Sequence, residues 1–132
     1  MTNLLVIATA LGVLAGSDSI SAADQDQDAK SQFSHAVFFT LAEPSNANRE
    51  KLMEACKKYL SKHKGTVYFS VGTLAAEMDR EVNVRDFDVS LHVVFDDREA
   101  HDAYQQHPRH KQFVEEHSTL WKSVRVFDSY LD

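Results

Sequence analysis

The 132-residue sequence has very little cysteine, proline or glycine, with one, two and four copies respectively. A single cysteine excludes a disulfide framework and any cysteine-based zinc or iron–sulfur site within one chain. The net charge of −6 argues against sequence-independent binding of nucleic acid. The 43% of hydrophobic residues is enough for a packed core and too high for a disordered or collagen-like chain. The length allows one domain.

Basic residues are absent from the first 29 positions. An almost continuous apolar run, Leu4–Gly16, is followed there by small residues that include Ser21 and Ala23, and then by the acidic stretch Asp24–Asp28. This order is typical of a secretory signal peptide, and the run is shorter than the roughly 18 apolar residues of a transmembrane helix. We therefore expect a signal peptide over 1–23 and an exported protein, periplasmic or secreted, without stable membrane insertion after cleavage. If the signal is not used, the protein is cytoplasmic with a poorly ordered N-terminal tail.

The remaining chain divides into a polar leader, 24–32, and one domain, 33–131. Within the domain the spacing of apolar residues alternates between the period of a strand and that of a helix. It predicts four strands, Phe33–Leu41, Thr66–Leu74, Phe87–Phe95 and Ser123–Leu131. A first helix begins at the cap Pro44-Ser45-Asn46 and is closed by Gly65, with Lys62, His63 and Lys64 in its last turn. A second helix is opened by Asp96-x-x-Glu99, interrupted by Pro108 and continued to about Trp121.

The order βαββαβ predicts an α+β, ferredoxin-like domain with both helices on one face of a four-stranded antiparallel sheet. The other face would carry Phe38, Tyr68, Val94 and Phe127 among polar residues. A domain of this size gains from covering such a face. We therefore expect a homodimer that pairs two sheets face to face, as a dimeric α+β barrel. The lone thiol, Cys56, falls on the apolar side of the first helix, where burial is expected.

Seven histidines invite a metal-site interpretation. His63, in the last turn of a helix, and His101, on the polar side of the second helix, are predicted to face solvent. His92 falls on the expected dimer face. His107 and His110 are three residues apart and could share a metal ion, but a closed site needs further ligands, and none lies at a suitable spacing. We therefore expect no metal and no cofactor.

One histidine differs from the others, because His110 falls on the apolar side of its helix with Phe113. Tyr104 lies on the inner side of the preceding helix, and His35 shares a strand face with Val37. These three polar side chains are predicted to converge between the sheet and the helices. Each could instead be a core residue satisfied by a backbone partner.

At these positions the sequence resembles the stress-responsive A/B barrel family, also called the Dabb or dimeric α+β barrel family. The most specific feature is Tyr104-Gln105-Gln106-His107-Pro108-Arg109-His110, close to the family signature Tyr-x-x-His-Pro-x-His. The strands also match, over His35–Phe39, Phe69–Gly72, Phe87–Phe95 and Val124–Asp128. The resemblance spans about Phe33 to Leu131 and implies a homodimer with a cavity between the sheet and the helices of each protomer.

One plant branch of the family cyclises a linear poly-β-keto thioester. That branch implies catalytic roles for His110 as general base, for Tyr104 as its partner, and for His35 in the lining of the site. We expect other cavity-lining residues at Val37, Phe39, Val89, Leu91 and Phe113. The sequence departs from the cyclase at Val89, where the cyclase has a further histidine, and Tyr59 is out of register with the first-helix tyrosine of the cyclase.

Three hypotheses follow. The first is an exported, stress-associated homodimer that binds a small apolar molecule in the cavity, without established catalysis. The second is a cyclase-like or lyase-like enzyme that uses a histidine base and a tyrosine partner. The third is a structural dimer whose histidines only complete the core. An open cavity of some hundreds of Å³ would favour the first two, and filled space would favour the third.

Overall fold

The computed structural model describes Ser21 and residues 30–132 of the chain. The elements are strand β1 (Phe33–Leu41), helix α1 (Asn46–Leu60), strand β2 (Thr66–Thr73), strand β3 (Val89–Phe95), helix α2 (Arg98–Gln106), helix α3 (Pro108–His117), a 3-10 turn (Ser118–Leu120) and strand β4 (Trp121–Tyr130). The predicted signal peptide, apart from Ser21, and the leader as far as residue 29 lie outside the described residues. Within the described part, no helix has the length and apolarity needed to cross a membrane.

The four strands form one sheet in the order β2-β3-β1-β4, and every neighbouring pair is antiparallel. The predicted ferredoxin-like fold is confirmed. Strands β1 and β3 are the two interior strands, and every second residue of β1, from Phe33 to Leu41, is buried on one face. The three helices pack on that face. The core between the two layers contains residues of β1, β3, α1, α2 and α3, among them Phe39, Leu91, Leu52, Tyr104 and Phe113.

Helix α1 begins where the sequence predicts, because the Ser45 side chain accepts a hydrogen bond from the Asn48 backbone N–H at 3.0 Å. Its predicted end is wrong. The helix stops at Leu60, its last turn contains Lys57 and Lys58, and the chain reverses through Lys62, whose φ is 60°. The four residues 62–65 connect Ser61, the C-cap of α1, to the first residue of β2, and Gly65 ends this turn.

Other boundaries also differ from the prediction: β2 ends at Thr73 rather than Leu74, and β4 spans Trp121–Tyr130 rather than Ser123–Leu131. Helix α2 is capped by Asp97 rather than Asp96, because the Asp97 carboxylate accepts a hydrogen bond from the Ala100 N–H at 2.8 Å. Strand β3 begins at Val89 rather than Phe87. The Asp88 carboxylate immediately before it accepts a hydrogen bond from the Leu41 N–H at 2.8 Å, which ties the start of β3 to the end of β1.

The burial of Cys56 is confirmed, since its thiol is free and fully buried in the core under α1. Burial raises the pKa of this thiol to about 12, which keeps it protonated at neutral pH. The sheet face opposite the helices carries the predicted aromatic side chains. Tyr68 and Phe127 are each 55% exposed there, and Phe38 contacts Phe127 with ring centroids 5.6 Å apart.

We predict that Gly65→Ala destabilises the fold while Gly72→Ala does not. Gly65 has a φ of 84°, and an added Cβ would lie 2.6 Å from the Ala100 Cβ. The strained backbone and the overlap together should cost about 2–4 kcal/mol of unfolding free energy. At Gly72 an added Cβ meets nothing within 4 Å in the described structure, so the change should stay within about 0.5 kcal/mol. Urea unfolding measures both, and equal stabilities of the two variants would contradict this packing.

Candidate functional site

A cavity of about 300 Å³ lies between the sheet and helices α2 and α3. The three predicted catalytic candidates, His35, Tyr104 and His110, all line it. Its other polar lining residues are Gln105 and Ser118. The rest of the wall is apolar and consists of Val37, Phe39, Leu60, Leu91, Phe113, Val114, Trp121, Val124 and Val126. The structure therefore brings the polar candidates together in a chamber whose wall is mostly hydrocarbon.

Four of the five predicted apolar lining residues contribute to this wall, and Val89 does not. Val89 is fully buried at the start of β3, between Phe39 of β1 and Thr73 of β2 in the sheet register. The cavity lies towards β4, on the other side of β1, and includes Val124 and Val126 of that strand. Val89 is absent from the wall although Leu91, on the same face of the same strand, is part of it, because alternation along a strand shows which face a residue is on and not which part of that face the cavity covers.

The cavity opens along β4, which is an edge strand of the sheet. Val124 and Val126 share the helix-side face of the sheet, opposite Phe39 and Val37 of β1. They nevertheless remain 44% and 49% exposed, and Val114 of α3 is also exposed beside them. An apolar molecule therefore has a path to the polar groups at the inner end of the chamber.

The Tyr104 side chain is almost completely buried, with 2% of its surface exposed. Its ring meets those of His110 and His63 edge to face, with centroids 4.8 and 4.9 Å away. Its hydroxyl has no hydrogen-bond partner among the described residues. Burial raises the pKa of Tyr104 well above its usual value, and the nearby Cys56 adds to the shift. The phenol is therefore a neutral donor without an acceptor, at the wall of a cavity.

His110 is half-buried at the first turn of α3, where it faces the ring of Tyr104. Burial lowers the pKa of His110 to about 4, with smaller contributions from His35, His63 and His101. The imidazole is therefore neutral at pH 7 and can offer one nitrogen as a donor and the other as an acceptor.

His35 is held by a partner that sequence analysis missed. Its Nδ1 lies 2.6 Å from the Asp128 Oδ1, and its Nε2 lies 3.4 Å from the Gln105 Nε2. Burial lowers the pKa of His35 although Asp128 opposes that shift. Asp128 could have been found, because it continues the inward alternation of Val124 and Val126 and so places a carboxylate on the cavity side of β4.

The predictions for His63 and His101 were wrong, because both are buried rather than solvated. The turn after α1 directs His63 back into the protein, where its Nε2 lies 2.7 Å from the Tyr59 carbonyl oxygen. His101 lies between the rings of Phe33 and His35, at centroid distances of 4.5 and 4.9 Å. The aromatic end of β1 creates this site for His101, and the helical pattern of α2 alone does not show it.

The remaining residues of interest have separate surroundings. His92 is exposed on the sheet face opposite the helices. The His107 side chain caps α3 by accepting a hydrogen bond from the Arg109 N–H at 3.1 Å, while His110 faces the cavity. Tyr59 donates its hydroxyl to Glu116 at 2.7 Å and is not part of the cavity wall. A different group has the composition of a metal site, because His35, His101 and Asp128 place one potential ligand atom each within 4.8 Å of one another.

Residues 33–131 match the family model described as Stress responsive A/B Barrel Domain, or Dabb. No curated protein matches the chain. A solved Dabb family protein from Mesorhizobium loti, described as having a ferredoxin-like fold, is 22% identical over 76% of this chain and 97% of its own, with a TM-score of 0.65.

Two further solved structures share the fold. A dimeric ferredoxin-like protein of unknown function from Thermobifida fusca is 16% identical over 76% of this chain and 92% of its own, with a TM-score of 0.62. Hydroxynitrile lyase from Passiflora edulis is 14% identical over 78% of this chain and 95% of its own, also with a TM-score of 0.62. At these identities the likeness shows the fold alone.

We predict that acid destabilises the domain through His110. Its pKa is about 4 in the folded protein and 6.5 in the absence of burial, so between these values the unfolded chain binds more protons than the folded one. The free energy of unfolding must then decrease as the pH falls through this window, by about 3 kcal/mol at pH 4 relative to pH 7. Urea unfolding at both pH values should show a smaller loss for His110→Gln. An unchanged loss would contradict the burial of a neutral imidazole.

Proposed function

Because this chain belongs to the stress-responsive A/B barrel (Dabb) family, we propose that it is an exported, stress-associated homodimer that binds a small apolar molecule in the cavity between sheet and helices. The bound molecule has an apolar body and one polar end. The body contacts the hydrocarbon wall, and the polar end meets Tyr104 and His110.

The observation that carries ligand binding is the unpaired hydroxyl of Tyr104. A buried hydroxyl without a partner costs about 1–3 kcal/mol, and native proteins contain few of them. A ligand oxygen at the inner end of the cavity would accept this hydrogen bond and remove the cost. His35, by comparison, is already paired with Asp128, so the hypothesis that all three polar residues merely complete the core does not account for Tyr104.

The lining determines the chemistry of the ligand. Phe113 and Trp121 stack with centroids 5.5 Å apart and form an aromatic wall, and Val124 and Val126 form the apolar entrance. The volume of about 300 Å³ lies at the lower end of the range for small-molecule sites. A neutral His110 beside a neutral Tyr104 favours an uncharged carbonyl or hydroxyl over a strongly anionic group.

Support for the homodimer comes from the open sheet face and from relatives of the same fold. Tyr68, Phe127 and Phe38 form an apolar patch there, and covering such a patch in a second copy is favourable. The Thermobifida fusca protein of this fold is described as dimeric.

Support for export comes from the sequence of the first 23 residues, whose apolar run and small-residue ending are typical of a signal peptide. The stress association rests on the family description. The proposals of export and of stress association therefore do not depend on the cavity.

A cyclase-like or lyase-like enzyme is the second candidate, because His110 and Tyr104 form an adjacent base and proton donor on one cavity wall. The low pKa of His110 weighs against it, since a general base works best with a pKa near the working pH. If the parent protein turns over a polyketide-like thioester and a folded His110→Ala variant does not, the protein is an enzyme and the binding proposal is wrong.

We predict that the cavity binds acetophenone and that Tyr104→Phe weakens this binding about 3- to 10-fold, as the loss of one hydrogen bond requires. Ethylbenzene, which has nearly the same shape without the carbonyl oxygen, should bind both proteins equally. Titrations followed by NMR measure all four affinities. Tyr68→Phe is the matched control, because its hydroxyl lies on the other face of the sheet. Equal acetophenone binding by the parent protein and Tyr104→Phe would contradict the assigned donor, and no binding of either compound in the cavity would contradict the binding function.

We predict that native mass spectrometry of protein from its own source shows a dimer of chains that begin at Asp24 and a co-purifying small molecule. Phe127→Arg, which places a charge on the open sheet face, should shift the mass to the monomer, while the exposed control Val82→Arg on the β2–β3 connection should not. A monomeric parent protein would contradict the dimer, and an intact Met1 start in the exported fraction would contradict cleavage.

A further inference from the structure

A pair of histidines beside the cavity points its free nitrogens at one position. His35 lies on β1 and His101 on α2, and both are more than nine-tenths buried. The Nε2 atoms of the two rings lie 3.4 and 3.3 Å from the same atom, the side-chain nitrogen of Gln105. The two imidazoles therefore converge on the Gln105 amide.

The other nitrogen of each ring faces a carboxylate. The His35 Nδ1 lies 2.6 Å from Asp128, and the His101 Nδ1 lies 3.3 Å from Asp102. The 3.3 Å contact of His101 with Asp102 is long for a hydrogen bond, whereas the 2.6 Å contact with Asp128 holds the His35 proton on Nδ1 and leaves the lone pair on Nε2. This is the arrangement of metal-binding histidines, whose second nitrogen almost always donates to a carboxylate, a carbonyl or water.

The distances around Gln105 are those of a metal shell rather than of strong hydrogen bonds. N–H donors in proteins lie mostly 2.7–3.2 Å from their acceptors, so contacts of 3.3 and 3.4 Å are long. Two ligands of a tetrahedral zinc ion, each about 2.0–2.1 Å from the metal, are roughly 3.3–3.4 Å apart. A half-turn of the amide exchanges its nitrogen for its oxygen and presents a third ligand at the same place.

We propose that His35 Nε2, His101 Nε2 and Gln105 Oε1 form a binding site for a divalent transition-metal ion, with Zn²⁺ the best match. Two imidazoles and one neutral oxygen suit zinc, which accepts nitrogen and oxygen ligands in a tetrahedron. Asp128 orients the His35 ring and supplies negative charge behind it, and Asp102 adds negative charge beside His101.

The proposed site borders the cavity. His35 and Gln105 are both part of the cavity wall, whereas His101 is not, so an ion held by these three groups would border the cavity and leave its fourth position for water or for a ligand oxygen. Such an open position is the mark of a reactive or ligand-binding zinc site rather than of a closed structural one. The metal site does not depend on the apolar ligand, and it is tested with the metal alone.

The test is titration of the untagged, chelator-treated full chain with Zn²⁺ in a calorimeter. One ion per chain is expected. His35→Gln and His101→Gln should each lower the affinity more than about 100-fold, and Asp128→Asn about 10- to 100-fold, as for other residues that orient a ligand. Gln105→Glu should bind more tightly because it supplies a charged oxygen, and Gln105→Leu more weakly. His92→Gln, which removes an exposed histidine on the opposite sheet face, is the control and should bind as the parent does.

Long-range ¹H–¹⁵N NMR of the imidazole rings keeps the test valid if a variant fails to fold. Zn²⁺ should shift the Nε2 signals of His35 and His101 in the unmodified chain and leave His92 unchanged. Binding that survives loss of both His35 and His101, or shifts confined to exposed histidines, would overturn the proposal, and so would the absence of any binding.

Discussion

The antiparallel pairing of β1 with β4 is the constraint on which the cavity depends. It places Val124 opposite Phe39, Val126 opposite Val37 and Asp128 opposite His35. Because β4 is an edge strand and its two valines stay exposed, the helix layer leaves this side of the sheet uncovered. The same register therefore supplies the apolar entrance of the cavity and the carboxylate that holds His35.

The polar side chains around the cavity differ in whether they have hydrogen-bond partners within the protein. His35 has Asp128 on one side and Gln105 on the other, and His63 has the Tyr59 carbonyl oxygen. The Tyr104 hydroxyl, buried in the midst of these rings, has no partner within the described part of the chain. In a low-dielectric interior such a donor is costly, and this cost is the observation on which the proposed ligand rests.

Burial also sets the protonation of the site. It lowers the pKa of His110, His35 and His63 and raises that of Tyr104. All four side chains are thereby held neutral near pH 7, which suits recognition of an uncharged polar group and reduces the strength of His110 as a base.

Sequence periodicity determined the four strands, the helical segments and the inward direction of His110 and Tyr104, because each follows from the local repeat of apolar residues along one element. The burial of His101 and His63, the pairing of Asp128 with His35, and the absence of Val89 from the cavity wall were decided only by the tertiary structure. Each of these depends on which elements lie side by side: the end of β1 beside α2, the turn after α1 beneath Tyr104, and β4 next to β1. A one-dimensional repeat shows which side of an element a residue occupies. Its neighbours across the fold depend on strand order, strand register and turns, which form only when residues distant in the chain come together.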